Sequence, residues 1–252
     1  MPYLDAPLPL AFAHRGGAGD GDENTAEAFG RAVALGYRYL ETDTHATADG
    51  VAVVFHDRTV DRLLGRPGRI ADLRWADLRT LRVGGAAAVP RLDDVLGTWP
   101  QIRFNIDVKA DAALVPALTA IARTDASDRV LLASFSDARL AAIRRLVGPA
   151  VPTSMGMREV AALWAAARLG RRAYRPPSGV VAAQVPARFG PVRVVDARFV
   201  DYAHRLGLHV HVWTIDAPEQ MRYFLDVGVD GIMTDRVEVL RDVYSERGLW
   251  AA

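Results

Sequence analysis

A closed (β/α)8 TIM barrel is the fold the sequence predicts, and two observations predict it. Short apolar, β-branched runs alternate with alanine-rich helical patterns, which implies a parallel sheet covered by helices. The unit recurs about eight times in 252 residues, which suits a closed barrel of one domain, 1–252, better than an open sheet.

The first candidate strand, Leu10–Ala13, ends on His14, Arg15, Gly16 and Gly17. Ala26–Leu35 follows with helical spacing, and Asn24 with Glu27 three residues later reads as an N-cap and capping box. Tyr39–Asp43 is the second strand. Only seven residues separate Asp43 from Val51, too few for a crossover helix. A hairpin would leave His56 about 17 Å from Asp43, at the opposite rim. Seven extended residues reach about 25 Å, so a non-helical return and a third parallel strand, Val51–Phe55, are expected. Residues 57–91 then form an insertion, helix-poor from Asp57 to Pro90 with its GRPGR and GGAAA segments. Alternation resumes with strands at Phe104–Val108, Val130–Ser134, Val151–Met155, Val180–Gln184, His209–Thr214 and Gly231–Thr234. Helical patterns at Leu92–Trp99, Ala112–Arg123, Ala138–Leu146, Glu159–Leu169, Ala197–Leu206 and Glu219–Val227 accompany them. Nine strands compete for eight places, and the surplus is expected at Val180–Gln184 or near the C-terminal end.

Composition narrows the function. The 31 basic residues nearly balance 30 acidic ones, so no global field would hold nucleic acid or an anionic membrane. The absence of cysteine excludes disulfides, thiolate nucleophiles and Cys-zinc sites. No run approaches the roughly 18 apolar residues of a membrane span, and the N-terminus lacks a basic region before an apolar one, so a cytoplasmic protein without stable membrane association is expected. The single lysine is Lys109; a compact ammonium kept in a chain that otherwise uses arginine suggests a place where a guanidinium would not fit.

Polar residues at strand ends are the candidates for chemistry. Glu41 and Asp43 lie two apart, on one face of their strand, as do Asp107 and Lys109. Three carboxylates on neighbouring strands are too costly without a cation among them, and all-oxygen ligation points to Ca²⁺ or Mg²⁺. His14 and His56 could serve as base and acid, with Arg15 and Lys109 taking phosphate charge. Ser134, Gln184 and Asp235 either touch substrate or cap barrel ends. His45, His204 and His209 read as surface or packing residues, and His211 as a core histidine satisfied by a neighbour.

In these motifs the chain resembles the glycerophosphodiester phosphodiesterases. The resemblance runs through HRG at His14–Gly16, ENT at Glu23–Thr25, ETDTHATADGVAVVFHD at Glu41–Asp57 and RLDDVL at Arg91–Leu96. It continues through DVK at Asp107–Lys109, SF at Ser134–Phe135, HVWTID at His211–Asp216 and GVDGIMTD at Gly228–Asp235. It implies a phospholipase C-like barrel with a small insertion after the third strand, and metal-dependent hydrolysis of glycerophosphodiesters to glycerol 3-phosphate and an alcohol. It implies His14 and His56 as the acid/base pair, and Glu41, Asp43 and Asp107 as metal ligands. Lys109 would stabilise charge, Arg15 would contact the phosphate, and Trp213 would line the pocket near the glycerol. Two departures stand out: the family usually has glutamate at the position of Asp107, and the proline that often precedes ENT is Asp22. A sphingomyelinase D or lysophospholipase D-like activity and a non-catalytic phosphate-binding barrel are the alternatives. Because the insertion is rich in arginine and aspartate rather than apolar, a soluble, deacylated substrate with its alcohol in solvent is expected.

Overall fold

The computed structural model describes residues 2–170 and 173–250. The strands of its main sheet are β1 (Leu10–Ala13), β2 (Tyr39–Ala46), β3 (Ala52–Val54), β4 (Arg103–Val108), β5 (Val130–Ala133), β6 (Thr153–Ser154), β7 (Val180–Pro186), β8 (His209–Trp213) and β9 (Gly231–Thr234). All except β3 pair in parallel, in the order β1, β2, β4, β5, β6, β7, β8, β9. The ring closes where β1 meets both β2, with Phe12 opposite Tyr39, and β9, with Leu10 opposite Gly231.

Eight helices cover the ring: α1 (Ala26–Ala34), α2 (Leu92–Thr98), α3 (Leu114–Arg123), α4 (Asp137–Val147), α5 (Met157–Leu169), α6 (Ala197–Arg205), α7 (Pro218–Val227) and α8 (Val237–Glu246). Each buries one stripe at helical spacing, as with Leu114, Ala117, Ala120 and Ile121 of α3. Side-chain oxygens of Thr25, Ser136 and Asp196 cap α1, α4 and α6 by accepting from Ala28, Arg139 and Phe199 amides. The barrel interior is a second apolar layer of Phe12, Tyr39, Leu131, Ala182 and Met233. Tyr3 packs beneath it, and its carbonyl accepts from the Tyr39 hydroxyl at 2.6 Å. The helix α8 repeats the apolar spacing of the others at Val237, Leu240, Val243 and Tyr244, and the pattern analysis did not anticipate it.

The surplus strand is Val51–Phe55, not Val180–Gln184, which is the body of β7. The expected parallel return is also wrong: β3 is antiparallel to β2, with Thr44 opposite Val54 and Ala46 opposite Ala52. The reason is length. Because β2 runs past Asp43 to Ala46, the hairpin turns beyond the rim, and the returning leg comes back down to the level of Asp43. There the Phe55 amide donates to the Asp43 carbonyl at 3.0 Å, so His56 reaches the same rim. The next residues hold short helices, Asp61–Leu64 and Trp75–Leu78, around an apolar cluster of their own that includes Phe55, Val60, Ile70, Leu78, Val83 and Val89.

Candidate active site

The loop after β1 is built by tight backbone turns. Arg15, Gly16 and Gly17 all have left-handed φ values of 52°, 84° and 94°. A Cβ on Gly16 would come within 2.9 Å of Ala28 Cβ and the Phe29 nitrogen, and one on Gly17 within 2.9 Å of Val237. Only glycine lets the chain fold this closely against α1 and α8. The turn aims the Arg15 amide at Glu41 Oε2, 3.1 Å away, and lays the Arg15 side chain against Glu23 Oε1 at 2.9 Å. Arg15 Nε stands 3.3 Å from Asp43 Oδ2, close enough for charge attraction, although its angle leaves that N–H without a hydrogen bond. Asn24 is not the helix cap; Thr25 is. The buried Asn24 amide donates to Asp43 Oδ2 at 2.9 Å and accepts from the Thr42 hydroxyl at 2.8 Å.

Glu41 and Asp43 share the inner face of β2, and Asp107 of β4 lies in register opposite Asp43. All three are buried. Lys109 Nζ bridges Asp43 Oδ1 at 2.8 Å and Asp107 Oδ2 at 2.7 Å. Burial alone would raise Asp43, yet Lys109 and Arg15 outweigh it and hold that carboxyl below its ordinary value. At Glu41 the same cations are outweighed: burial and then the charge of Asp43 push it up to about 7. Burial raises Asp107 too, and its Oδ1 has no hydrogen-bond partner among the described residues. Among the described residues, no three His, Asp or Glu side chains stand close enough together to hold a metal as they lie.

Both histidines sit at this rim, each tied to a carboxylate. His14 Nδ1 lies 2.7 Å from Asp235 Oδ1, and His56 Nδ1 lies 2.6 Å from Asp57 Oδ1. An aspartate at Nδ1 places the proton there in the neutral ring and leaves Nε2 as the free base. His14 Nε2 faces Glu41 Oε2 at 3.7 Å. Burial lowers the His14 pKa, but Glu41 and Asp235 together more than offset it, leaving it raised. A further layer orients these carboxylates. Asp216 Oδ1 accepts from the Asp235 amide at 2.8 Å and the Thr234 hydroxyl at 2.9 Å. Arg62 donates to Asp57 Oδ2 at 2.7 Å and forks onto Glu23 at 2.7 and 2.8 Å, linking His56 to Arg15. His45 Nε2 lies 3.2 Å from the His56 carbonyl, holding its backbone. The sequence pattern marks no role for Arg62 and none for Glu23 beyond its place in ENT; it gives Asn24 as a helix cap and Asp235 as a substrate contact or barrel-end cap, not as the partner of a histidine. The HD pair at His56–Asp57 was the one available signal, since adjacent residues at a strand end can meet.

His14, Arg15, Glu41, Asp43, His56, Asp107 and Lys109 line one side of a cavity of about 570 Å³ at the C-terminal ends of the strands. Gln184 lies at its floor, donating to Asn105 Oδ1 at 3.1 Å and standing 3.2 Å from His211 Nδ1. Trp213 forms part of the wall, edge-on to Phe135 with centroids 5.6 Å apart. The insertion contributes none of the lining. Apolar surface at the rim comes instead from α5 and from a small hairpin pairing Arg188–Phe189 with Val192–Arg193.

The profile of the glycerophosphoryl diester phosphodiesterase family matches residues 14–239. Probable glycerophosphodiester phosphodiesterase 2 of Mycobacterium tuberculosis is 41% identical over 244 residues, 96% of this chain and 92% of its own length. A solved structure from Silicibacter pomeroyi superposes with a TM-score of 0.81 at 26% identity, covering 99% of this chain and 98% of that one. An Oleispira antarctica phosphodiesterase, solved with the product sn-glycerol-3-phosphate, superposes at 0.80 with 20% identity, over 94% of this chain and 97% of that one.

Proposed function

The chain belongs to the glycerophosphoryl diester phosphodiesterase family, and on that premise we propose that it hydrolyses glycerophosphodiesters by acid–base catalysis between His14 and His56, with a divalent cation on Glu41, Asp43 and Asp107. The observation that carries this reading is the pair of His–Asp couples at one cavity. Each aspartate occupies Nδ1 and leaves Nε2 available for proton transfer. A barrel that only bound a phosphate ester would need the cations and not two oriented bases.

The chemistry of the carboxylates, though not their spacing as they lie, fits an added cation. Asp107 Oδ1 is buried without a partner among the described residues, and burial with the charge of Asp43 raises Glu41. The donor set is all oxygen, suiting Ca²⁺ or Mg²⁺. When bound, such an ion supplies Lewis-acid charge to a phosphoryl oxygen and lowers the pKa of a neighbouring hydroxyl. Arg15 and Lys109 add positive charge beside the phosphate. One histidine takes the proton of the glycerol 2-hydroxyl as that oxygen attacks phosphorus. The other protonates the departing alcohol. The same pair, with roles exchanged, takes a proton from water and returns one to the 2-oxygen as the cyclic phosphate opens to glycerol 3-phosphate.

His14→Ala and His56→Ala are each expected to lose about 10²–10⁴-fold in kcat on glycerophosphocholine while calorimetry still detects Ca²⁺ or Mg²⁺ binding. Wild-type activity should vanish in excess chelator and return with either ion. Near-normal turnover in both variants would end the histidine assignment, and full activity in chelator would remove the ion from it.

A further inference from the structure

The lining of the cavity is divided by chemistry. Every ionisable lining residue lies between His14 and Lys109, and the described lining residues from Ala133 to Met233 carry no charge. This second half is a wall of Met157, Val160 and Trp164 on α5, Phe189 and Val192 on the small hairpin, and Phe135 after β5. Its outer edge is open to solvent: Phe189 is 66% exposed, Phe135 53% and Met157 49%. Trp164 Nε1 donates to the Arg193 carbonyl at 3.2 Å, so the hairpin is tied to α5. In the antiparallel pairing Phe189 stands opposite Val192, which puts both on the face turned to the cavity.

Two kinds of substituent could lie against such a wall, a cationic amine or a hydrocarbon. The amine is disfavoured on two counts. No carboxylate lies in this half, and two of its aromatic rings already meet protein cations: the Arg168 guanidinium is 4.7 Å from the Trp164 ring and Lys109 Nζ is 5.4 Å from that of Phe135. We propose that the wall formed by α5 and the Phe189–Val192 hairpin binds a hydrocarbon chain carried by the substrate, so that monoacyl or alkyl glycerophosphodiesters are better substrates than deacylated ones. The proposal rests on the preceding reading, in which the charged half holds the phosphodiester. It reverses the expectation of a solvent-facing, deacylated substrate drawn from the insertion alone. The chain lies along the open edge, and the exposed ends of Phe189 and Met157 are covered when it binds.

The test compares kcat/KM for glycerophosphocholine, octanoyl-lysophosphatidylcholine and glycerophospho-octanol, each below its micellar concentration. Each methylene buried is worth about fourfold, so at least one chain-bearing substrate should exceed glycerophosphocholine tenfold or more. Phe189→Ser with Val192→Ser should bring that ratio towards one. An advantage confined to the lysolipid places the chain on the glycerol side, and one confined to the octyl ester places it on the alcohol side. Equal values for all three, with glycerophosphocholine turned over, overturn the proposal. If none is turned over, the catalytic reading fails separately, and calorimetric affinities decide: equal affinity for all three compounds overturns the wall's role.

Discussion

The smallest units that matter are the two His–Asp couples. Asn in place of Asp235 would present an N–H to His14 Nδ1, forcing the ring's proton to Nε2 and removing the base. Asp235→Asn is therefore expected to lower kcat about 100-fold or more with KM within about threefold. Steady-state kinetics on glycerophosphocholine checks this, and unchanged kcat would make Asp235 a structural cap. Residues such as Glu41, Asp43, Asp107 and Lys109 were legible because a strand's period of two fixes which side chains share a face. Their juxtaposition is as expected, except that Lys109 bridges two of the carboxylates. Asp235 as the partner of His14, and Arg62 as the partner of Glu23, were not legible. Their contacts span 221 and 39 positions and depend on how loops turn, which no periodicity encodes.

At the level of elements, alternation marked seven of the eight covering helices and every barrel strand, because each buries a regular stripe. It could not give the direction of β3. A three-residue strand buried throughout carries no mark of polarity, and the decision turned on where β2 ends. The hairpin and the insertion behind it act together through Arg62, which grips Glu23 with a two-pronged contact and Asp57 with Nε. Half-exposed ion pairs of this type contribute about 0–1 kcal/mol to stability, so their main effect is on position. Arg62→Met is expected to cost about tenfold in kcat/KM, close to 1.4 kcal/mol at the transition state, with little change in thermal midpoint. Arg62→Lys should restore little of it, since an ammonium cannot make the fork. A full rescue by lysine would show that charge alone suffices.

At the scale of the whole molecule, His211 is a fully buried histidine away from the carboxylates. Burial, and then the nearby His209, push His211 down to about 3. Its Nε2 has no hydrogen-bond partner among the described residues. The unfolded chain protonates near the ordinary value of about 6.5, so between these limits the unfolded state binds a proton that the native state refuses. The stability contributed by neutral His211 is complete above pH 6.5 and is lost as pH falls, at about 1.4 kcal/mol per unit. In denaturant titrations at pH 7 and pH 5, the wild type should lose about 2 kcal/mol more than His211→Gln, other groups cancelling in the comparison. Equal losses would mean that His211 takes up its proton in the folded state. The bond between His14 and Asp235 has a consequence of a different kind. It crosses the seam where the first barrel strand meets the last, whereas His56 reaches Asp43 through a hairpin closed within a dozen residues. Local contacts form early and chain-spanning ones late. One half of the proposed catalytic pair can therefore assemble while the chain is still largely open, and the other exists only once both ends have met. With the roles proposed for His14 and His56, chemistry in this protein would report ring closure, gained last in folding and surrendered first when the ends part.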